Sequence, residues 1–240
     1  MIRAAAALIG LISVVSCQRY VDTTSRPTLT VFAAASLQPP FDRIAQQIQA
    51  TPRINYAGTQ TLTTSLIQGA RADVFASADS AHMKTIEDTG LLASPPQVFA
   101  HNRLEIAVAR GNPKGIHGLA DLARAGLVVV LADPSVPAGK YADQALAKAG
   151  VKVRPASLEL QVTAVLTKVA LGEADAGIVY ASDVTSSGKV DGVQIPDSQN
   201  VVADYLIGNL SDRPVAREFI DLVLSAKGQA ILTESGFGRA

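Results

Sequence analysis

The chain has 240 residues, of which 48% are apolar and 18% charged, enough for a packed core and too apolar for general disorder. It carries 21 basic and 21 acidic side chains, no Trp, and 5% aromatics, so a nucleic-acid surface and a stacking platform for bases or sugars are excluded. One cysteine and three histidines exclude a disulfide framework and a Cys-rich metal site.

The chain opens on a short positive start, Met1-Ile2-Arg3, followed by an uncharged run over residues 4–16. That run is shorter than the ~20 residues needed to span a bilayer and fits the core of a signal peptide. It ends in Val14-Val15-Ser16-Cys17, which resembles a bacterial lipobox. The resemblance implies a signal peptide over residues 1–16 and lipidation of Cys17. A diacyl anchor has the two chains that stable attachment requires. Residues 17–27 then form the lipidated N-terminus and a polar tether.

From residue 28 onward strands and helices alternate. Residues 28–35 are an apolar run suited to a buried parallel strand, with Ser36 at the following turn. Pro39 and Pro40 are compatible only with a first helical turn, and Phe41, Ile44, Ala45 and Ile48 then recur at helical spacing. A short strand at Ile54–Ala57, a helix over about residues 61–68 and a buried strand at residues 73–77 follow. Leu104–Ala109 reads as a strand, broken by Gly111-Asn112-Pro113, and Leu119–Ala125 as a short helix. Leu127–Ala132 is a β-branched strand, and a helix is expected over about residues 139–149. Val162, Val165, Leu166, Val169 and Ala170 mark another helix; Ala176–Tyr180 and Ala203–Ile207 read as strands, and Pro214–Leu224 as the last helix.

Such alternation predicts an α/β fold with parallel sheets flanked by helices, which bind ligands at the C-terminal ends of the strands. Two lobes are expected, residues 28–108 plus 206–240 and residues 109–205, with the chain crossing near Leu104–Asn112 and returning near Asn200–Asn209.

Several strand-to-helix turns end in small or hydroxyl residues: Ala34-Ala35-Ser36, Gly58-Thr59-Gln60-Thr61 and Ser77-Ala78-Asp79. The turn Leu158-Glu159-Leu160-Gln161 before Val162 can present backbone amides in the same way. A helix start exposes about four unbonded N–H groups at the positive end of its dipole. Several such starts facing one cleft make an anion site without any cation, and none of these turns contains Lys or Arg. Taken singly, Ser36, Thr59 and Thr61 are ordinary helix caps, Ala78 a packing residue, Val162 a core residue and Tyr180 a strand-end phenol.

Five stretches in order give a more specific signal: residues 30–37 (TVFAAASL), 72–79 (ADVFASAD), 134–142 (PSVPAGKYA), 177–183 (GIVYASD) and 235–237 (SGF). Together they resemble the periplasmic molybdate-binding protein family, the substrate-binding components of ABC transporters. The resemblance implies a two-lobed periplasmic-binding-protein fold of type II, with each lobe a mostly parallel sheet and the ligand cleft between them. It implies oxyanion ligands at Ser36, Thr59, Ala78, Val162 and Tyr180. Ser36 and Thr59 would give hydroxyl and backbone N–H donors, Ala78 and Val162 backbone N–H, and Tyr180 its phenol. Relatives commonly have Ser at the position of Thr59 and Asn or Asp at that of Gln161.

The implied protein is a monomeric receptor, anchored outside the cell membrane, for molybdate and tungstate. It has no cofactor and no protein ligand on the metal itself, and it delivers to a permease with its ATPase. A receptor for sulfate or another tetrahedral oxyanion is the alternative. A hydrolase using Ser36 or Ser77 lacks a G-x-S-x-G elbow, and His82, His101 and His117 have no evident Asp partner in the sequence. The expectation is a binding protein and not an enzyme.

Overall fold

The computed structural model describes residues 26–240. The signal peptide, Cys17 and nearly all of the tether lie outside the described residues.

Strand β1 (Thr28–Ala34) lies between β2 (Thr51–Ala57) and β3 (Val74–Ser77) and runs parallel to both. Its residues alternate between two cores, as a strand buried on both faces must. Val31 and Ala33, with Val74 and Ala76 of β3, join the main core, whereas Phe32 and Phe75 join a smaller cluster with Leu62, Leu66, Met83 and Ile86. That cluster lies beneath α2 (Thr59–Ile67) and α3 (Ser80–Asp88). A 3-10 turn at Ala35–Leu37 leads into α1 (Gln38–Ala45), whose first turn holds Pro39 and Pro40, where a missing N–H costs nothing. Phe41 and Ile44 on its inner face are fully buried.

The element that organises the molecule is β4 (Gln97–Ala109), 13 residues long. Its first part, Gln97–Arg103, pairs antiparallel with β9 (Val202–Asn209), which itself pairs antiparallel with β3. Its second part, Leu104–Ala109, pairs antiparallel with β7 (Ala176–Tyr180) on one side and mainly with β8 (Val190–Gln194) on the other. Beyond β7 lie β5 (Val129–Ala132) and β6 (Ser157–Glu159), parallel to one another, with β5 parallel to β7. The sheet order is therefore β2-β1-β3-β9-β4-β7-β5-β6.

Helices α4 (Pro137–Ala149), α5 (Val162–Ala170) and α6 (Ala181–Ser187) follow β5, β6 and β7 in the chain. Helices α7 (Pro214–Leu224) and α8 (Ala226–Glu234) pack with each other, and α8 packs on α1; the two-residue strand β10 (Gly238–Arg239) pairs with β4. Among the described residues no helix is long and apolar enough to cross a membrane.

The parallel strands expected from the alternation are present, but antiparallel β4 and β9 join them into a mixed sheet. Two polar residues fasten this frame. Asp73 is buried and accepts from Thr30 N at 2.8 Å, Ser211 Oγ at 2.9 Å and Arg213 Nη1 at 2.8 Å, which ties β1 to the turn after β9. Asn200 accepts from Leu104 N at 3.0 Å and donates to Leu104 O at 2.9 Å. Its amide thus supplies a strand-like partner at the residue where β4 changes neighbours.

Candidate functional site

The C-terminal ends of β1, β2, β3 and β7 and the starts of α4 and α5 converge on one small cavity. Ser36, Thr59, Ala78, Val162 and Tyr180 all line it, together with Ala34, Ala35, Ala57, Gly58 and the Val136-Pro137-Ala138 turn. None of these residues is acidic, basic or histidine. The cavity is tight, with about 10 Å³ of room for the centre of a water-sized guest, so it suits a single compact solute. A wider hollow of about 590 Å³ lies elsewhere, around Asp73 and Arg213. The Asp73 carboxylate is already engaged in the frame described above, by Thr30 N, Ser211 Oγ and Arg213 Nη1.

Four of the helix starts at the cavity share one property. The 3-10 turn at Ala35 and helices α2, α4 and α5 have no side-chain hydrogen bond capping their first N–H groups. By contrast, α3 is capped by Asp79 and α8 by Ser225. Uncapped N–H groups in a buried place are costly unless something else satisfies them. Their dipoles leave the cavity positive without a formal charge.

The hydroxyl groups add to this field. Ser36 Oγ and Tyr205 Oη share a buried hydrogen bond of 2.8 Å. Ala78 N donates to Thr59 Oγ1 at 3.3 Å. Tyr180 Oη is buried and has no partner among the described residues. Burial pushes the Tyr180 phenol well above its ordinary range, so it keeps its proton and remains a donor. Next to it, Asp183 is fully buried and accepts from Tyr180 N at 3.0 Å; burial pushes its carboxyl up to about 7, against the opposing pull of that bond.

Two contacts cross the cavity's rim. Gln60 Nε2 donates to Leu160 O at 2.8 Å. Gly58 leaves no space for a side chain, because a Cβ there would lie within 3.0 Å of Leu160 O.

The structure thus brings all five sequence-derived candidates to one place and changes how two positions are read. Ala78 gives its N–H to Thr59 and not to the open cavity. Ala138, in the second position of α4, lines the cavity at an uncapped helix start and was missed by the sequence reading. The signal lay in Pro137-Ala138-Gly139: a proline that opens a helix, then two small residues that let backbone approach closely. A Cβ at Gly139 would strike the carbonyls of Ala132 and Asp133.

The histidine expectation needs correction. His82 Nδ1 lies 2.9 Å from Asp79 Oδ1, and His101 Nδ1 lies 2.9 Å from Asp204 Oδ1. These partners are hidden in the sequence because Asp79 caps the helix that carries His82, and Asp204 lies across the β4–β9 ladder. Neither pair builds a hydrolase. Ser77 Oγ donates to Asp79 O at 2.6 Å, so its hydroxyl is turned to the backbone and away from His82. Among the described residues no group of three or more His, Cys, Asp or Glu gathers to hold a metal ion.

The profile of the family described as bacterial extracellular solute-binding protein matches residues 29–238, and the chain belongs to that family. It is a family of solute-binding proteins and not of enzymes. The molybdate-binding protein ModA of Mycobacterium tuberculosis is 46% identical over 226 residues, covering 90% of this chain and 87% of that protein. The molybdate-binding protein ModA of Escherichia coli is 28% identical, with 87% and 88% covered. Among solved structures, the periplasmic molybdate-binding protein of Azotobacter vinelandii has a TM-score of 0.75 at 18% identity, covering 88% of this chain and 99% of that one. The sulfate-binding protein SubI of Mycobacterium tuberculosis has a TM-score of 0.77 at 17% identity, covering 89% and 87%. At these identities the structural likeness is one of fold.

Proposed function

We propose that the chain is the extracytoplasmic receptor of a molybdate ABC transporter, which captures molybdate or tungstate and hands it to a permease driven by its ATPase. The observation that carries this reading is the unpartnered Tyr180 phenol in a cavity ringed by uncapped helix starts and free of charged side chains. Such a cavity has donors and dipoles but no counter-charge, which suits a small dianion held by hydrogen bonds. The 46% identity to a molybdate-binding protein over nearly the whole chain supports the choice of guest.

In this reading Ser36 and Thr59 give hydroxyl and backbone N–H donors, Val162 and Ala138 give backbone N–H, and Tyr180 gives its phenol. Ala78 acts through Thr59. The metal enters only inside the oxyanion, as cargo. A hydrogen bond to a charged group contributes about 1.5–3 kcal/mol net. Roughly five such bonds, less the cost of immobilising guest and protein, leave about −8 to −12 kcal/mol, or micromolar to nanomolar affinity.

Residues 28–108 plus 206–240 and residues 109–205 act as two lobes that close on the guest as a monomer. The donors come from both: Ser36 and Thr59 from the first, Ala138, Val162 and Tyr180 from the second. Cys17 carries the lipid that holds the receptor at the membrane; a Cys17→Ala chain recovered still bound to membranes would refute that anchor.

Sulfate is the second reading, because a lining of neutral donors does not by itself separate two tetrahedral dianions. Calorimetric titration with molybdate, tungstate, sulfate and phosphate in parallel decides between them. Tight binding of the first two is the expected result, and heat from sulfate alone would replace the reading.

A further inference from the structure

Tyr205 lies outside the set of residues lining the cavity, yet its hydroxyl is buried against one of them. It sits on β9 with its side chain fully buried. Edge-to-face contacts hold its ring, with centroid distances of 6.3 Å to Phe99, 5.7 Å to Tyr180 and 5.2 Å to Phe237. Packing on three sides fixes where its oxygen sits.

The direction of the Ser36–Tyr205 hydrogen bond follows from chemistry. A phenol is more acidic than an aliphatic alcohol, so it is the better donor and the poorer acceptor of the two. Burial raises the Tyr205 phenol further above its ordinary value, which keeps the proton in place. The nearby Asn102 amide is engaged elsewhere, its Oδ1 accepting from Arg103 N at 3.0 Å and its Nδ2 donating to Ser182 Oγ at 2.7 Å. If Ser36 instead donated to Tyr205, the phenol would give up its 2.8 Å acceptor and leave its proton to the Tyr180 hydroxyl, which makes no hydrogen bond of normal geometry.

We propose that Tyr205 is a positioning residue that donates to Ser36 Oγ and thereby turns the Ser36 proton toward the guest, making Ser36 an obligatory donor. Thr59 is arranged in the same way, with Ala78 N–H behind its oxygen. Both serving hydroxyls thus have an acceptor lone pair occupied from behind. A guest oxygen that carries its own proton meets another proton at each of them, so the cavity takes fully deprotonated oxyanions and rejects monohydrogen phosphate. Without the Tyr205 hydroxyl, Ser36 is free to rotate and accept. This inference rests on the oxyanion reading of the site.

The test is a double-mutant cycle on the full chain with Tyr205→Phe, Ser36→Ala and the pair, read by calorimetry with molybdate and by competition with phosphate at pH 8. Tyr205→Phe is expected to weaken molybdate roughly 2- to 12-fold, the range of one neutral hydrogen bond. It is also expected to let phosphate compete at a concentration at least ~10-fold lower, a change in selectivity that a merely structural loss does not produce. In the Ser36→Ala background the same substitution should change neither reading by more than ~2-fold, because the residue it acts through is gone. Equal effects of Tyr205→Phe in both backgrounds, or unchanged phosphate competition, would overturn the role of Tyr205 while leaving the oxyanion reading intact. A wild-type chain that gives no heat with molybdate would overturn the oxyanion reading, and this inference with it.

Discussion

Gly58→Ala isolates the rim contact from everything else. Gly58 precedes α2 with φ −58° and ψ 138°, a conformation open to any residue, so alanine brings no backbone strain. The added methyl would stand within 3.0 Å of Leu160 O, whereas ordinary contact begins near 3.4 Å. The segment ahead of α5 therefore has to retreat by about 1 Å, enough to forfeit much of any close contact on that side. Two interactions suffer. The Gln60 Nε2 to Leu160 O bond, 2.8 Å long, is lost, at about 1 kcal/mol. The Val162 N–H moves off its proposed guest oxygen, at about 1.5–3 kcal/mol. The sum of about 2.5–4 kcal/mol predicts a 60- to 700-fold loss of molybdate affinity by titration calorimetry. The unliganded protein should lose about 0.5–2 kcal/mol, since alanine caps a helix less well than glycine, so stability and affinity are measured separately. A variant binding within ~3-fold of wild type would show that closure does not bring Gly58 against Leu160 in the bound state.

Tyr180→Phe should act with opposite signs on stability and binding. Removing a buried hydroxyl with no partner relieves the unliganded protein by up to about 1–3 kcal/mol, while the loss of a donor weakens molybdate roughly 10- to 150-fold. A variant with lower Tm and unchanged affinity would remove the phenol from the site. Asp183 gives a pH signature. Its carboxyl is raised from 3.8 to about 7 in the folded chain, so the folded state binds more protons between those values and stability falls as pH rises through that window. Above pH 7 the charged form costs the folded chain at most ~4 kcal/mol. Denaturant unfolding at pH 5 and pH 8 should show Asp183→Asn flattening this fall, and parallel curves for variant and wild type would refute the assignment.

What could be read in the residues, and what could not, divides along a physical line. Local patterns were sufficient for β1, α1, α5 and β7, where apolar runs and helical stripes are strong. They failed for the first part of β4, because His101-Asn102-Arg103 looks like a loop until β9 supplies its ladder partners. Helix α3 was missed because it buries only Met83 and Ile86 and is otherwise polar. The candidate site was legible where a turn ends in a hydroxyl, as at Ser36 and Thr59. It was not legible at Ala138, where proline opens the helix and no cap residue flags the free amides. Tyr205 was invisible for a further reason: its partner Ser36 is 169 positions away, and only folding makes them neighbours.

The single continuous β4 also limits how such a receptor can diverge. Side chains along a strand alternate faces, so one residue inserted between Arg103 and Leu104 would turn the pattern of everything beyond it inside out relative to what precedes. Asn200 would then clasp the wrong carbonyl, and Tyr180, in register with Leu104, would no longer meet Tyr205. Length changes are tolerable in the surface turns, whereas this junction works as a ruler whose divisions cannot be altered.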